Sequence, residues 1–285
     1  MPSEGPAAIG DLIESAAARL GAAGVIKPRR EAHRLWAWVS RTAVGDAYLS
    51  RTAALDREVA REYERAVARR VAGEPIAYVL GLAGFRRLEL RSDRRALIPR
   101  PETEGIIDLA LARTRRGRAA DLGTGTGCLA LSLALEGTFD LVVGVDSNAE
   151  ALALARENAS LTGLGIHLVR SDLGAALRGE RCDLLVANPP YLTDAEYDAL
   201  DPSVKAWEPR SALAAGPDGL LVTRRILAEG PALLTPRGWL VMELDSTRSM
   251  DAVALAGAMG WTEIGVHDDL FGRRRYLTAC REQQA

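Results

Sequence analysis

Apolar residues recur at helical spacing through the first part of the chain. Ile9, Leu12, Ile13, Ala16 and Leu20 make one stripe, Leu35, Trp36 and Val39 a second after Pro28, and Val59, Tyr63, Val67 and Val71 a third. This predicts helices up to about residue 75. Gly73-Glu74-Pro75 closes the third pattern, because proline disfavours helix in the residue before it and glycine readily ends one. From Ala83 to Leu97 the spacing changes: Phe85, Leu88 and Leu90 sit among polar residues, with Ser92-Asp93 at the centre. That predicts a short hairpin. The expected organisation is a helical domain over 1–82 and a second domain over 83–285, with 83–97 as the linking hairpin.

After Pro101 the rhythm becomes strand, glycine turn, helix, strand. Apolar runs at Ala119–Leu122, Leu141–Val145, Ile166–Val169, Leu184–Ala187 and Trp239–Glu243 alternate with helical patterns from Cys128, through Ala151, Leu154 and Ala155, and over Leu220–Leu234. Pro236-Arg237-Gly238 introduces the last of these strands. Alternation of this kind calls for a parallel sheet covered by helices, an α/β fold. Thr262–Val266 and Arg275–Ala279 read as an antiparallel ending.

Composition narrows the function classes. Across 285 residues, 48% are apolar and 26% charged, enough to bury a sizeable core. The formal net charge of -2 offers no general attraction for nucleic acid or anionic lipid. Direct nucleic-acid binding is not expected. The opening Met-Pro-Ser-Glu-Gly-Pro lacks a basic start followed by an apolar run, and no apolar stretch is long enough to span a bilayer. A cytoplasmic protein without a membrane partner is expected. Cys128, Cys182 and Cys280 show no paired spacing, and His33, His167 and His267 are scattered. Free thiols and no metal site follow.

The candidate chemistry lies at strand ends. Asp121-Leu122-Gly123-Thr124-Gly125-Thr126-Gly127 follows a strand and opens a helix, where small residues admit a ligand to the backbone and to free N–H groups. A tight strand-to-helix turn needs glycine in any case. The spacing also differs from the Gly-x-Gly-x-x-Gly fingerprint for a pyrophosphate, which argues against NAD. Asp146 ends the next strand and is placed to accept from ribose hydroxyls, or else to cap the helix near Ala149. Asp172 and Leu173 follow a third strand, suited to an adenine amino group and ring. Together these fit an adenosine without a diphosphate, and S-adenosylmethionine is the obvious such cofactor.

Asn188-Pro189-Pro190-Tyr191 follows the apolar strand Leu184–Ala187, at the same sheet edge. Two prolines lack N–H groups and fix φ, so they hold the Asn188 side chain and the Pro189 carbonyl as acceptors, while Tyr191 adds an aromatic face for a planar substrate. An amide nitrogen is a poor nucleophile. Two acceptors on its NH2 would aim it at a sulfonium methyl, with orientation and charge stabilisation supplying the catalysis. Asn-Pro is also a common turn starter. No general base is required, because the methylated nitrogen becomes acidic and loses its proton to water. The expected catalytic residues are thus Asn188, Pro189 and Tyr191. Pro190 joins them in binding substrate, and Asn188 is also expected to touch the cofactor.

With these motifs the chain resembles the release-factor glutamine N5-methyltransferases, nearly over its full length. The likeness extends to Gly73-Glu74-Pro75-Ile76-Ala77-Tyr78, Leu97-Ile98-Pro99-Arg100-Pro101-Glu102-Thr103-Glu104, and Trp207-Glu208-Pro209 followed by Ala212-Leu213. The resemblance implies a seven-stranded methyltransferase domain, an N-terminal helical domain that recognises a peptide chain release factor, and a grip of Asn188 and Pro189 on the glutamine amide. It also implies that Ile98–Glu104 roofs the site, although Pro101 and the acids beside it equally suit a helix start. One departure stands out. The family usually carries Glu-x-Gly-x-x-Gln where this chain has Glu243-Leu244-Asp245-Ser246-Thr247-Arg248. That bears on the local loop and on the exact substrate. The same chemistry on a ribosomal protein or a small-molecule amide, DNA adenine N6-methylation on a flipped base, and a non-catalytic adaptor are the alternatives.

Overall fold

The computed structural model describes residues 8–49 and 55–282; the opening hexapeptide lies outside them. Contacts divide the chain into two compact units between Gly81 and Leu82. The first is helical: α1 (Ile9–Ala22), α2 (Pro28–Ser40), α3 (Val44–Leu49), α4 (Arg57–Val71) and α5 (Ile76–Leu80). Pro28 occupies the first turn of α2, where its missing N–H costs nothing, and Asp56 caps α4 by accepting from the Glu58 and Val59 amides. The apolar stripes meet as one core holding Ile13, Leu20, Leu35, Tyr63 and Val67. Trp36 packs edge-on against Tyr63 at 5.4 Å, and the Tyr63 hydroxyl donates to the Ala32 carbonyl. α3 and α5 were not expected, since six and five residues are too short for a period to register.

The second unit opens with a hairpin of β1 (Leu82–Phe85) and β2 (Leu88–Arg91). Its turn is Arg86-Arg87, not Ser92-Asp93, and it is complete by Arg91. Arg86 takes a φ of 51°, a left-handed conformation more usual for glycine or asparagine. Neighbours hold it there: its amide donates to Glu104 at 2.8 Å and its guanidinium is bidentate on Glu136 at 2.7 Å.

There follow α6 (Glu104–Arg113), β3 (Arg116–Leu122), α7 (Cys128–Glu136), β4 (Thr138–Asp146), α8 (Ala149–Thr162), β5 (His167–Arg170), β6 (Cys182–Ala187), α9 (Asp194–Ala199), α10 (Pro202–Trp207), α11 (Leu221–Leu233), β7 (Leu234–Glu243), α12 (Ser249–Ala258), β8 (Trp261–Asp268) and β9 (Arg274–Arg281). Seven strands form one sheet in the order β5-β4-β3-β6-β7-β9-β8, parallel except for β9, which runs antiparallel between β7 and β8. β7 starts five residues earlier than the apolar run Trp239–Glu243 suggests, because its register against β6 jumps between Leu234 and Trp239. Pro236 falls in that bulge, where no ladder N–H is needed.

Successive residues of the central strands feed opposite core layers. Ala119, Leu184, Val186 and Val241 pack with Ile106 of α6 and Leu131 of α7, while Ala120, Leu185, Leu240 and Met242 pack with Ile226 of α11 and Ala252 of α12. A sheet buried on both faces explains the continuous apolar runs. The strand order reverses beside β3, so the loops after β3 and β6 diverge and leave a crevice at the carboxyl edge.

Candidate active site

That crevice is a cavity. Its wall includes Gly123, Thr124, Gly125 and Thr126 after β3, Asp146 after β4, Asp172 and Leu173 after β5, and Asn188, Pro189 and Pro190 after β6. The same cavity is lined from the far side by Leu97, Ile98, Pro99, Arg100 and Thr103, and by Pro209 and Ala212. Gly127 and Tyr191 are not part of the lining.

The loop after β3 is anchored by backbone. The Gly123 and Thr124 amides both donate to the Val145 carbonyl at 2.8 Å, tying the loop to β4. Gly123 has φ +81°, and an added Cβ would meet no protein atom within 4 Å. The open space beside it therefore belongs to the cavity. Gly127, at φ +84°, packs closely instead: a Cβ there would sit 3.3 Å from Ala155, so its role is to bring α7 against α8.

Beneath the loop Asp121 is wholly buried. Its Oδ2 accepts from Thr124 Oγ1 at 2.6 Å and from the Ala130 amide at 3.3 Å, while Oδ1 has no partner among the described residues. Burial pushes its carboxyl up to about 7, against the pull of those two hydrogen bonds.

Asp146 does not cap α8. Asn148 does, accepting from the Glu150 amide, while Asp146 accepts from the Gly125 amide through one oxygen and from the Asn148 amide through the other, each at 2.9 Å. A carboxylate oxygen accepts more than one hydrogen bond, so both retain capacity toward the cavity. Asp172 is paired with Arg225 through two 3.0 Å contacts, and its side chain is 68% exposed. Leu173 beside it takes a φ of 47°.

Asn188 is held by side chains from distant segments. Its Nδ2 donates to Thr103 Oγ1 at 2.9 Å, and Thr103 Oγ1 donates to Glu243 Oε2 at 2.7 Å. Thr103 and Glu243 are 2% and 1% exposed. Burial raises the Glu243 carboxyl to about 7, moderated by hydrogen bonds from Thr103 and Tyr191 and by the Arg275 charge. Burial likewise pushes the Tyr191 phenol up to about 12. Neither Thr103 nor Glu243 was singled out from the sequence as a site residue. Thr103 stands in a segment that carries the resemblance, Leu97–Glu104, and Glu243 opens the segment that departs from the family pattern, Glu243–Arg248.

The departure at Asp245 and Arg248 has a visible consequence. Asp245 caps the turn 246–248, and Arg248 reaches Glu196 at 2.6 Å, Asp245 at 3.3 Å and the Tyr191 carbonyl at 3.5 Å. Arg248 thus braces the tetrapeptide from behind. On the opposite side, Arg100 Nη2 donates to both oxygens of Glu208 at 2.6 and 2.7 Å, with the Glu208 side chain 4% exposed. This pair joins two of the resemblance segments across the cavity. Among the described residues no three His, Cys, Asp or Glu side chains group as a metal site would, and no helix is long and apolar enough to cross a membrane.

Comparison with known proteins agrees with this geometry. Residues 106–206 match the model of the methyltransferase small domain, and residues 11–81 that of the PrmC N-terminal domain. A release factor glutamine methyltransferase of Deinococcus radiodurans is 41% identical over 281 residues, which span 95% of this chain and 98% of the relative. One of Cereibacter sphaeroides is 38% identical, over 94% and 97%. Among solved structures, a methyltransferase from Pyrococcus furiosus overlays with a TM-score of 0.52 at 18% identity, covering 77% of this chain and 99% of that one. The catalytic domain of hMettl16 overlays with a TM-score of 0.53 at 17% identity, covering 81% and 83%. At such identities the structures speak for the fold alone.

Proposed function

Because the chain belongs to the release factor glutamine methyltransferase family, we propose that it methylates the side-chain amide nitrogen, N5, of a glutamine in a peptide chain release factor. It is an S-adenosylmethionine-dependent methyltransferase, and the cavity fits that cofactor: a glycine loop leaves space a Cβ would fill, and Asp146 has acceptor capacity turned to that space. We assign the cradle to Gly123–Thr126, the ribose hydroxyls to Asp146, and the adenine to Asp172 and Leu173. Gly127 shapes the loop from behind. When bound, the cofactor supplies an electrophilic methyl group on a sulfonium sulfur.

The observation that carries the reading is the commitment of Asn188 Nδ2 to Thr103, which leaves Oδ1 as the acceptor on the cavity wall beside Pro189. Asn188 Oδ1 and the Pro189 carbonyl take the two N–H groups of the glutamine amide and fix its nitrogen in line for transfer. Pro190 keeps the carbonyl in place, since it cannot donate or change φ. Tyr191, whose carbonyl accepts from Arg248, is assigned to holding the tetrapeptide. The proton released from the methylated nitrogen goes to water.

The helical unit is assigned to recognising the release factor, because one amide is too little to distinguish one exposed glutamine from another. A release factor works in the cytoplasm, which supports that compartment for the enzyme, and we assign it no nucleic acid or membrane partner. The test is to incubate purified release factors with the protein and S-adenosylmethionine and to map the product by mass spectrometry. One added methyl on a single glutamine is expected. Methylation of a ribosomal protein or of DNA adenine, with release factors untouched, would replace this reading by one of its rivals.

A further inference from the structure

An asparagine side chain is nearly symmetric in shape but opposite in chemistry at its two ends. With Oδ1 toward the cavity it accepts from an incoming NH2 group; turned over, it sets NH2 against NH2. The backbone of Asn188 cannot choose between these. The chain of hydroxyl and carboxylate behind it can, because it has a direction. Thr103 Oγ1 carries one proton and gives it to Glu243 Oε2 at 2.7 Å, so toward Asn188 it offers only lone pairs, and Asn188 answers with Nδ2 at 2.9 Å. Thr103 and Glu243 are shut away from water, which would otherwise let the hydroxyl donate either way.

We propose that Thr103 and Glu243 are positioning residues that set which end of the Asn188 carboxamide faces the cavity. The inference rests on the reading of Asn188 as the acceptor for the substrate amide. It also specifies when the arrangement fails. A protonated Glu243 has its own O–H to give to Thr103, whose hydroxyl then turns to donate to Asn188 Oδ1, and the carboxamide flips.

The groups facing Glu243 are the Arg275 guanidinium at 3.9 Å and the Tyr276 phenol from β9, the Tyr191 phenol from the tetrapeptide, and the Glu102 carboxylate from the turn before α6. The two phenols stay neutral near pH 7, both raised to about 12, whereas Glu243, raised to about 7, changes charge near neutrality. Methyl transfer should therefore rise with pH through about 7 as the carboxyl ionises.

The experiment compares Thr103→Val, Thr103→Ser and Glu243→Gln with the unaltered enzyme, in single-turnover methylation, cofactor affinity, and the NMR signals of the Asn188 carboxamide. Losing one preorganised polar contact predicts a rate about tenfold or more lower in Thr103→Val with cofactor affinity within about twofold, and recovery to within about threefold in Thr103→Ser. Glu243→Gln should lose the rise through pH 7. The Asn188 NH2 signals should move in Thr103→Val and not in Thr103→Ser. Unchanged Asn188 signals in Thr103→Val, a wild-type rate in that variant, or serine performing no better than valine would overturn the relay. The NMR signals need no substrate. Absence of release-factor methylation by the unaltered enzyme would thus count against the functional reading, while the relay stands or falls on the signals.

Discussion

At the carboxyl ends of β3 and β4 the cavity wall is largely main chain: Gly123 and Thr124 donate to Val145, and Gly125 donates to Asp146, all within 25 residues of sequence. At the end of β6 it is side chains gathered from afar. Thr103 lies 85 residues from Asn188, and Glu243 lies 140 from Thr103. The half assigned to the cofactor is a local loop pinned by its own backbone, whereas the half assigned to the substrate exists only once three remote segments have folded together. A backbone cradle suits a ligand common to many reactions, while the choice of substrate rests on groups that single substitutions can change.

The sharpest test of this contrast is Asn188→Ala. Methyl transfer should fall about a hundredfold or more, the scale for losing a preorganised polar group, with cofactor affinity within a few fold. Near-normal single-turnover rates would erase the distinction between the halves. Asp146→Ala is the converse. Cofactor binding by calorimetry should weaken by about one to two powers of ten, because an acceptor is lost and the Gly125 amide loses its partner with it. Unchanged affinity would remove Asp146 from the cofactor.

A smaller effect is expected at the brace behind the tetrapeptide. Arg248→Met keeps the stem but loses the contacts to Glu196 and to the Tyr191 carbonyl. Transfer should slow by about threefold to tenfold while the Kd for S-adenosylmethionine holds, since only positioning is disturbed. An equal loss of cofactor affinity would show that the two halves are mechanically one. The mildest test concerns Asp121. Its carboxyl is raised from 3.8 to about 7, so its contribution to stability is complete below about pH 4 and is lost as pH rises through 7. Glu243 acts with the same sign. Asp121→Asn should flatten the decline of Tm between pH 4 and 8 without abolishing it. An unaltered slope would remove Asp121 as a source of that decline.

The same contrast explains what could be read from the sequence. That Gly123–Thr126, Asp146 and Asn188–Pro190 share one cavity wall was legible because they sit on consecutive residues at strand ends, and strand ends are marked by apolar runs that stop. Thr103 was hidden inside a run whose proline and acids also suit a helix start, and nothing along the chain ties it to Asn188. The hairpin turn was misplaced for a related reason. Ser92-Asp93 has turn chemistry, whereas Arg86 has none, and its left-handed conformation is supported by Glu104 and Glu136, 18 and 50 residues away. The early start of β7 was masked by Pro236, which local rules exclude from a strand but a bulge admits.

The Arg100–Glu208 pair bears on how the enzyme should respond to ionic strength. Dissolved salt weakens attractions between charges that face water; here the acid is almost sealed, with both oxygens engaged, while the Arg100 side chain is 40% exposed. Parting them would strand a carboxylate in the interior, a cost that counter-ions in the bulk do little to lower. The clasp across the cavity should therefore loosen less in concentrated buffer than a pair exposed on both sides. Salt sensitivity of turnover should then come more from the exposed pairs, such as Arg225–Asp172, and from docking of the protein substrate than from this clasp.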